Sequence, residues 1–172
     1  AMKYYNNQMY LTAAGLFEDL YPLSLGTPRA DTILYTFAQC YYKNKDYNMA
    51  AFHFRDYVRR YPNTERTEDA FYYCISSIYN TDHYEACQIA AKNFFNEYSY
   101  SPLMPEAVYY LVLNNYEYAR KSVERKKIER YKACIEACER MERDYKDSKY
   151  YKETAKIAQE AQKQLQKLQA KS

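Results

Sequence analysis

Tryptophan is absent from this chain, glycine occurs twice and histidine twice in 172 residues. Each shortage excludes something. Two glycines cannot supply the recurring tight turns of a sandwich or barrel. The two histidines, His53 and His83, stand far apart, no two cysteines form a Cys-x-x-Cys pair, and no metal-ligand spacing results. No glycine-rich loop cradles a phosphate, and no nucleophile–base pair carries a local signature. The sequence therefore offers no catalytic residue, no metal and no cofactor. No apolar run approaches the roughly 18 residues that cross a bilayer. No signal peptide precedes Lys3-Tyr4-Tyr5, where helical pattern starts abruptly, so a native amino-terminal segment is expected to have been removed.

What is present is helical and periodic. Residues 31–62 place Leu34, Phe37-Ala38, Tyr41, Ala50, Phe54 and Pro62 in the slots of a tetratricopeptide unit. The physical sense of that unit is two antiparallel helices with small residues where they press together and a proline closing the second. A step of 37 residues repeats it. Tyr10, Tyr47 and Tyr84 open the second helices, Ala13, Ala50 and Cys87 follow three places later, and Leu34, Phe71 and Val108 recur in the first helices. A further second-helix pattern, Tyr131 with Cys134, arrives ten residues late, after a charged stretch that extends helix or forms a loop. Such pairs bury their apolar faces only against stacked neighbours. The fold expected is all-α, a tetratricopeptide-repeat solenoid of antiparallel helix pairs with a C-terminal capping helix. Its N-terminal repeats occupy residues 1–100, and a last repeat plus the cap occupy 101–172.

Along the chain, helices are expected over 3–7, 9–21, 29–43, 46–61, 68–79, 83–98, from Pro105 through Tyr116, 128–145 and 149–170. Pro22 to Gly26 is expected to break the second of these, and Thr27-Pro28 to cap and start the third. The last helix, with Ala155, Ala158, Ala161 and Leu165 in a narrow stripe, ends in a Gln/Lys-rich tail. The five cysteines, Cys40, Cys74, Cys87, Cys134 and Cys138, fall at small-residue positions and read as buried hydrophobes.

Two surfaces could carry function. Inward-pointing slots of the first helices hold Tyr35 and Tyr42, Tyr72 and Tyr79, then Tyr109 and Tyr116, with Tyr5 completing the row and Gln39 and Ser76 between. With 24 tyrosines in the chain, such a ladder can floor a groove for an extended peptide, or its rings can pack between helices as core. Both readings stand. The second surface is basic. Residues 1–119 hold nine Lys/Arg against thirteen Asp/Glu, whereas residues 120–172 hold sixteen against nine. Arg125, Lys126, Lys127 and Arg130 lie in that basic end as a partner-docking candidate, although interleaved Glu124 and Glu129 also suit a solvated face. Aromatic and basic residues do not interleave there, which counts against nucleic acid.

Three stretches resemble the BamD family, tetratricopeptide lipoproteins of the outer-membrane β-barrel assembly machine, in a Bacteroidetes-like version. They are AAGLFEDLYPLSLGTPRAD (13–31), CYYKNKDYNMAAFHFRDYVRRYPNTERTEDAFYY (40–73) and SVERKKIERYKACIEACERMERDYKDSKYYKETAKIAQEAQKQL (122–165). The last is the most specific. The resemblance implies a non-enzymatic scaffold on the periplasmic face of the outer membrane. Its tyrosine groove, Tyr5, Tyr35, Gln39, Tyr42, Tyr72, Ser76 and Tyr79, would bind unfolded outer-membrane proteins. Tyr109, Tyr116, Arg125, Lys126, Lys127 and Arg130 would dock a BamA-type barrel protein. Membrane contact would run only through an N-terminal lipid anchor absent from this sequence. The family has five repeats where about four are visible, so a repeat is expected to be missing between Tyr79 and Tyr84, with a discontinuous chain there. Another periplasmic tetratricopeptide adaptor, for example in cell-envelope coordination, is the alternative. A cytoplasmic cochaperone would clamp a carboxylate tail with Lys, Asn and Arg, whereas these slots are mostly Tyr.

Overall fold

In the computed structural model, which describes residues 1–170, every regular element is a helix. The chain forms two compact units, Ala1–Asp82 and His83–Ser172. The first contains α1 (Met2–Asn6), α2 (Tyr10–Ser24), α3 (Ala30–Lys43), α4 (Tyr47–Arg60) and α5 (Thr67–Tyr79). The second contains α6 (Tyr84–Glu97), α7 (Met104–Arg120), α8 (Glu124–Asp144) and α9 (Tyr151–Gln169). Within each unit, helices adjacent in sequence pack on one another. This is the tetratricopeptide type of helical repeat.

The 37-residue step is written into the backbone as well as the core. The only described non-glycine residues with positive φ are Gln8, Lys45 and Asp82, at 60°, 62° and 58°. Each is the left-handed residue that stops a first helix. Gln8 N donates to Tyr5 O at 3.0 Å and Met9 N to Tyr4 O at 2.9 Å; Lys45 N to Tyr42 O and Asp46 N to Tyr41 O repeat both bonds. That doubled closure satisfies the last carbonyls of the helix and reverses the chain within three residues. The return turns have their own device. Thr27, Thr64 and Ser101, again 37 apart, and then Ser148, each accept through the carbonyl from a backbone N–H three residues on, at 3.1–3.2 Å.

Small residues fill the slots where helices meet. Ala13, Ala50, Cys87 and Cys134 are all fully buried, as are Ala38, Ile75 and Val112 one period apart in the first helices. All five cysteines are buried free thiols. Burial pushes the Cys40 thiol up to about 12 and Cys74 to about 11. In the second unit Ala161 of α9 closes a core with Val112, Ala119, Tyr131 and Cys138, and much of the rest of α9 faces solvent. A mostly polar outer face on the final helix is what an array end requires.

Three expectations need correction, and one open reading is settled. Pro22 does not break α2, which runs through it to Ser24. So near the helix end the proline forfeits one backbone bond, and the Ser24 hydroxyl covers the Tyr21 carbonyl at 2.7 Å. Thr27-Pro28 forms a turn rather than the start of α3, which begins at Ala30. The ten-residue excess is helix: it lengthens α7 to 17 and α8 to 21 residues, leaving Lys121 to Val123 between them. The chain is not discontinuous between Tyr79 and Tyr84, where Thr81 N bonds Ile78 O and Asp82 N bonds Tyr79 O in a four-residue connection. The unit boundary lies in that connection. At the carboxyl end, Lys171 and Ser172 of the expected tail lie outside the described residues.

Candidate functional site

In the first unit the tyrosine slots project from α1, α3 and α5. Tyr5, Tyr35, Tyr42, Tyr72 and Tyr79 are all half-buried. Tyr35 meets Phe54 and Tyr57 of α4 edge-on, at 5.8 and 5.6 Å between centroids. Its hydroxyl accepts from Gln39 Nε2 at 3.1 Å. Tyr42 bonds the Ser76 hydroxyl at 2.9 Å, joining α3 to α5, and its ring meets Tyr73 edge-on at 4.8 Å. Gln39 and Ser76 are themselves buried. Their polar groups thus hold the tyrosines in place instead of facing outward. Tyr5 packs edge-on against Tyr10 at 5.6 Å.

Electrostatics agree with that geometry. Burial raises the pKa of Tyr35, against the Gln39 hydrogen bond, and Asp69, Tyr73 and Tyr5 add to the rise. Burial likewise raises Tyr5, with Cys40, Tyr10 and Tyr73 contributing. These phenols stay neutral at physiological pH, so the surface offers rings and hydroxyls rather than charge. Sequence reasoning missed Tyr73, which stacks on Phe54 at 5.3 Å and lies 5.2 Å from Tyr72. Its ring links Tyr42 of α3 to Tyr72 of α5. Its slot, next to Tyr72 in an unbroken Phe-Tyr-Tyr run, gave no sign of which tyrosine faces where.

In the second unit the six candidate docking residues do not form one cluster. Tyr109 stacks on Tyr150, just before α9, at 4.4 Å, whereas Tyr116 meets Tyr131 of α8 edge-on at 6.2 Å. Eleven residues of helix, roughly 16 Å, separate Tyr109 from the end of α7 where the basic residues begin. Lys126 pairs with Glu129 at 3.2 Å and Lys127 with Glu124 at 3.3 Å. Arg130 is occupied internally: its guanidinium lies 3.5 Å from the Tyr118 ring centroid and donates to the Tyr118 hydroxyl at 2.6 Å and to Ser122. Arg125 is exposed. Near Tyr150 lies a feature the sequence did not reveal, an open cleft of about 490 Å³ bordered by Pro102, Pro105, Tyr145 and Tyr150.

Among the described residues no group of three or more His, Cys, Asp or Glu side chains could hold a metal ion. No described helix is long and apolar enough to cross a membrane. No curated protein matches the chain. A family model does: YfiO, described as outer membrane lipoprotein, matches residues 27–172, from the turn before α3 onward.

Proposed function

This chain belongs to the YfiO family of outer membrane lipoproteins, the BamD-like family, and from that premise we propose that it is a non-enzymatic scaffold of the outer-membrane β-barrel assembly machinery. The tyrosine face of the first unit receives extended segments of unfolded outer-membrane proteins. The carboxyl-terminal repeat and final helix, within residues 101–172, dock a BamA-type barrel protein. The chain works on the periplasmic face of the outer membrane, held there by a lipid anchor, in a Bacteroidetes-like version of the family.

The observation that carries the proposal is the family match over 27–172. The tyrosine geometry supports the groove. Half-buried rings fixed by Gln39, Ser76 and Tyr73 are pre-organised, so a peptide laid on them need not pay to order them. Rigid aromatic faces with neutral hydroxyls suit apolar and aromatic side chains of an extended segment. In the second unit, Tyr109, Tyr150 and the adjoining cleft give a shaped contact surface, and Arg125, Lys126 and Lys127 give a charged one.

The test is capture from envelope extract, comparing the chain with a Tyr35→Ala, Tyr42→Ala, Tyr72→Ala variant. The BamA-type protein is expected with both, and a terminal peptide of an outer-membrane protein with the first alone. Absence of the barrel protein from both captures would end the assembly-machine reading and favour another periplasmic adaptor. Undiminished peptide binding by the triple variant would end the groove assignment.

A further inference from the structure

We infer that the tip formed by Leu23 and Leu25, at the end of α2, is a lipid-contacting element that rests in the surface of the bilayer. The inference depends on the outer-membrane reading only for bringing a bilayer within reach. Leu23 is 82% exposed and Leu25 53% exposed, the former the most exposed leucine among the described residues.

The repeat itself shows that these leucines are out of place. One period on, the same slots hold Arg60 and Pro62; two periods on, Glu97 and Ser99, all exposed. Those are solvent positions, which helix packing does not require to be apolar. Leu16 and Leu20 differ. Their later counterparts are His53 and Tyr57, then Ala90 and Phe94, positions that pack within helix pairs, and they form no part of the inference.

The chemistry of the tip selects lipid over a protein groove. Residues 20–28 contain no charged side chain. All three hydroxyls have partners: Tyr21 shares a hydrogen bond with the Tyr61 hydroxyl at 3.3 Å, and Ser24 donates to Tyr21 O and Thr27 to Ser24 O, each at 2.7 Å. Entering an apolar phase therefore strands neither a charge nor a side-chain donor. A protein interface would be expected to read directional polar groups at its rim, and this tip presents none from its side chains. Two leucines give weak, reversible attachment, of the kind that adds to a single lipid chain.

The experiment is flotation of the chain with vesicles of phosphatidylethanolamine and phosphatidylglycerol, at low and high salt. A Leu23→Ser, Leu25→Ser variant is run beside it, and Ile89→Ser, 63% exposed in the other unit, serves as control. Circular dichroism confirms that each variant is folded. The chain and the Ile89 variant are expected to float equally at both salt concentrations, and the double variant at least about tenfold less. No flotation of the parent chain, or equal flotation of the double variant, overturns the proposal. So does a dimer in light scattering that disappears in the double variant, because the tip would then be a self-contact. Failure to capture a barrel protein, with leucine-dependent flotation intact, would count against the assembly reading alone.

Discussion

Lys45 sits at φ 62°, a conformation in which an L side chain crowds its own backbone. The turn tolerates it because Lys45 N and Asp46 N both close onto α3 carbonyls, at 3.0 and 2.9 Å. Lys45→Gly should relieve that crowding and raise stability by about 0.5–1 kcal/mol, read as a higher urea midpoint with an unchanged slope. His53 makes a prediction of opposite sign. Its ring lies 4.2 Å from Phe37 and stacks on Tyr41 at 5.3 Å, and its buried Nε2 has no hydrogen-bond partner. Burial lowers its pKa below 6.5, against a smaller pull from Asp56. The unfolded chain then binds a proton below pH 6.5 that the folded chain resists, so this contribution to stability is complete above 6.5 and is lost as pH falls through it. The lowered carboxyls of Asp56 and Asp144 act only below 3.8, outside that window. His53→Phe should flatten the loss of urea midpoint between about pH 7.5 and 5.5. An unchanged pH dependence would show that His53 does not sense acid.

At the scale of elements, the linkers carry as much information as the helices. Thr67, 2% exposed, begins α5 by donating to Tyr61 O at 2.6 Å and accepting from Thr64 N at 2.9 Å, while Thr64 Oγ1 bonds the Tyr57 hydroxyl at 2.7 Å. Thr67→Val keeps the shape and strands both backbone groups. It should cost about 1–3 kcal/mol in urea denaturation, where Thr67→Ser should cost less because the hydroxyl survives. The helices were legible in the sequence because a buried slot leaves a residue-size imprint every 37 positions, as at Ala13, Ala50 and Cys87. The turns were not, because their demands are conformational. Gln8, Lys45 and Asp82 occupy a left-handed position that glycine would have advertised. Pro22 misled for the same reason: its effect depends on where the helix ends, which hydrogen bonds at Ser24 decide. In the candidate site, the tyrosine row could be listed by slot, but its half-burial could not. Phe54 of α4 and Tyr73 of α5 both meet Tyr42 of α3, and no local pattern states that meeting.

Across the whole molecule the two proposed faces differ in the force that binds. The first unit presents neutral phenols, since burial raises Tyr35 and Tyr5 above their ordinary values. Contact there is apolar and aromatic, and salt does not screen it. Residues 120–172, by contrast, carry a net charge of +7 from sixteen basic and nine acidic residues, whereas residues 1–119 carry −4. A partner docking against that end meets a field that ionic strength weakens, because the screening length falls from about 10 Å at 0.1 M to about 3 Å at 1 M. The two binding events should therefore separate in a salt titration. Association with the barrel partner should slow by about tenfold or more as salt rises from about 0.05 to 0.5 M, mainly through the on-rate. Peptide binding at the tyrosine face should change by less than about twofold. Arg125→Glu should lower the docking rate and leave peptide affinity untouched, since Arg125 is exposed and belongs to the other unit. Arg130→Glu would be a poor probe, because Arg130 braces Tyr118 and Ser122 and its loss would disturb the turn between α7 and α8. If surface plasmon resonance shows equal salt slopes for peptide and partner, the two ligands share one surface, and the assignment of separate faces fails.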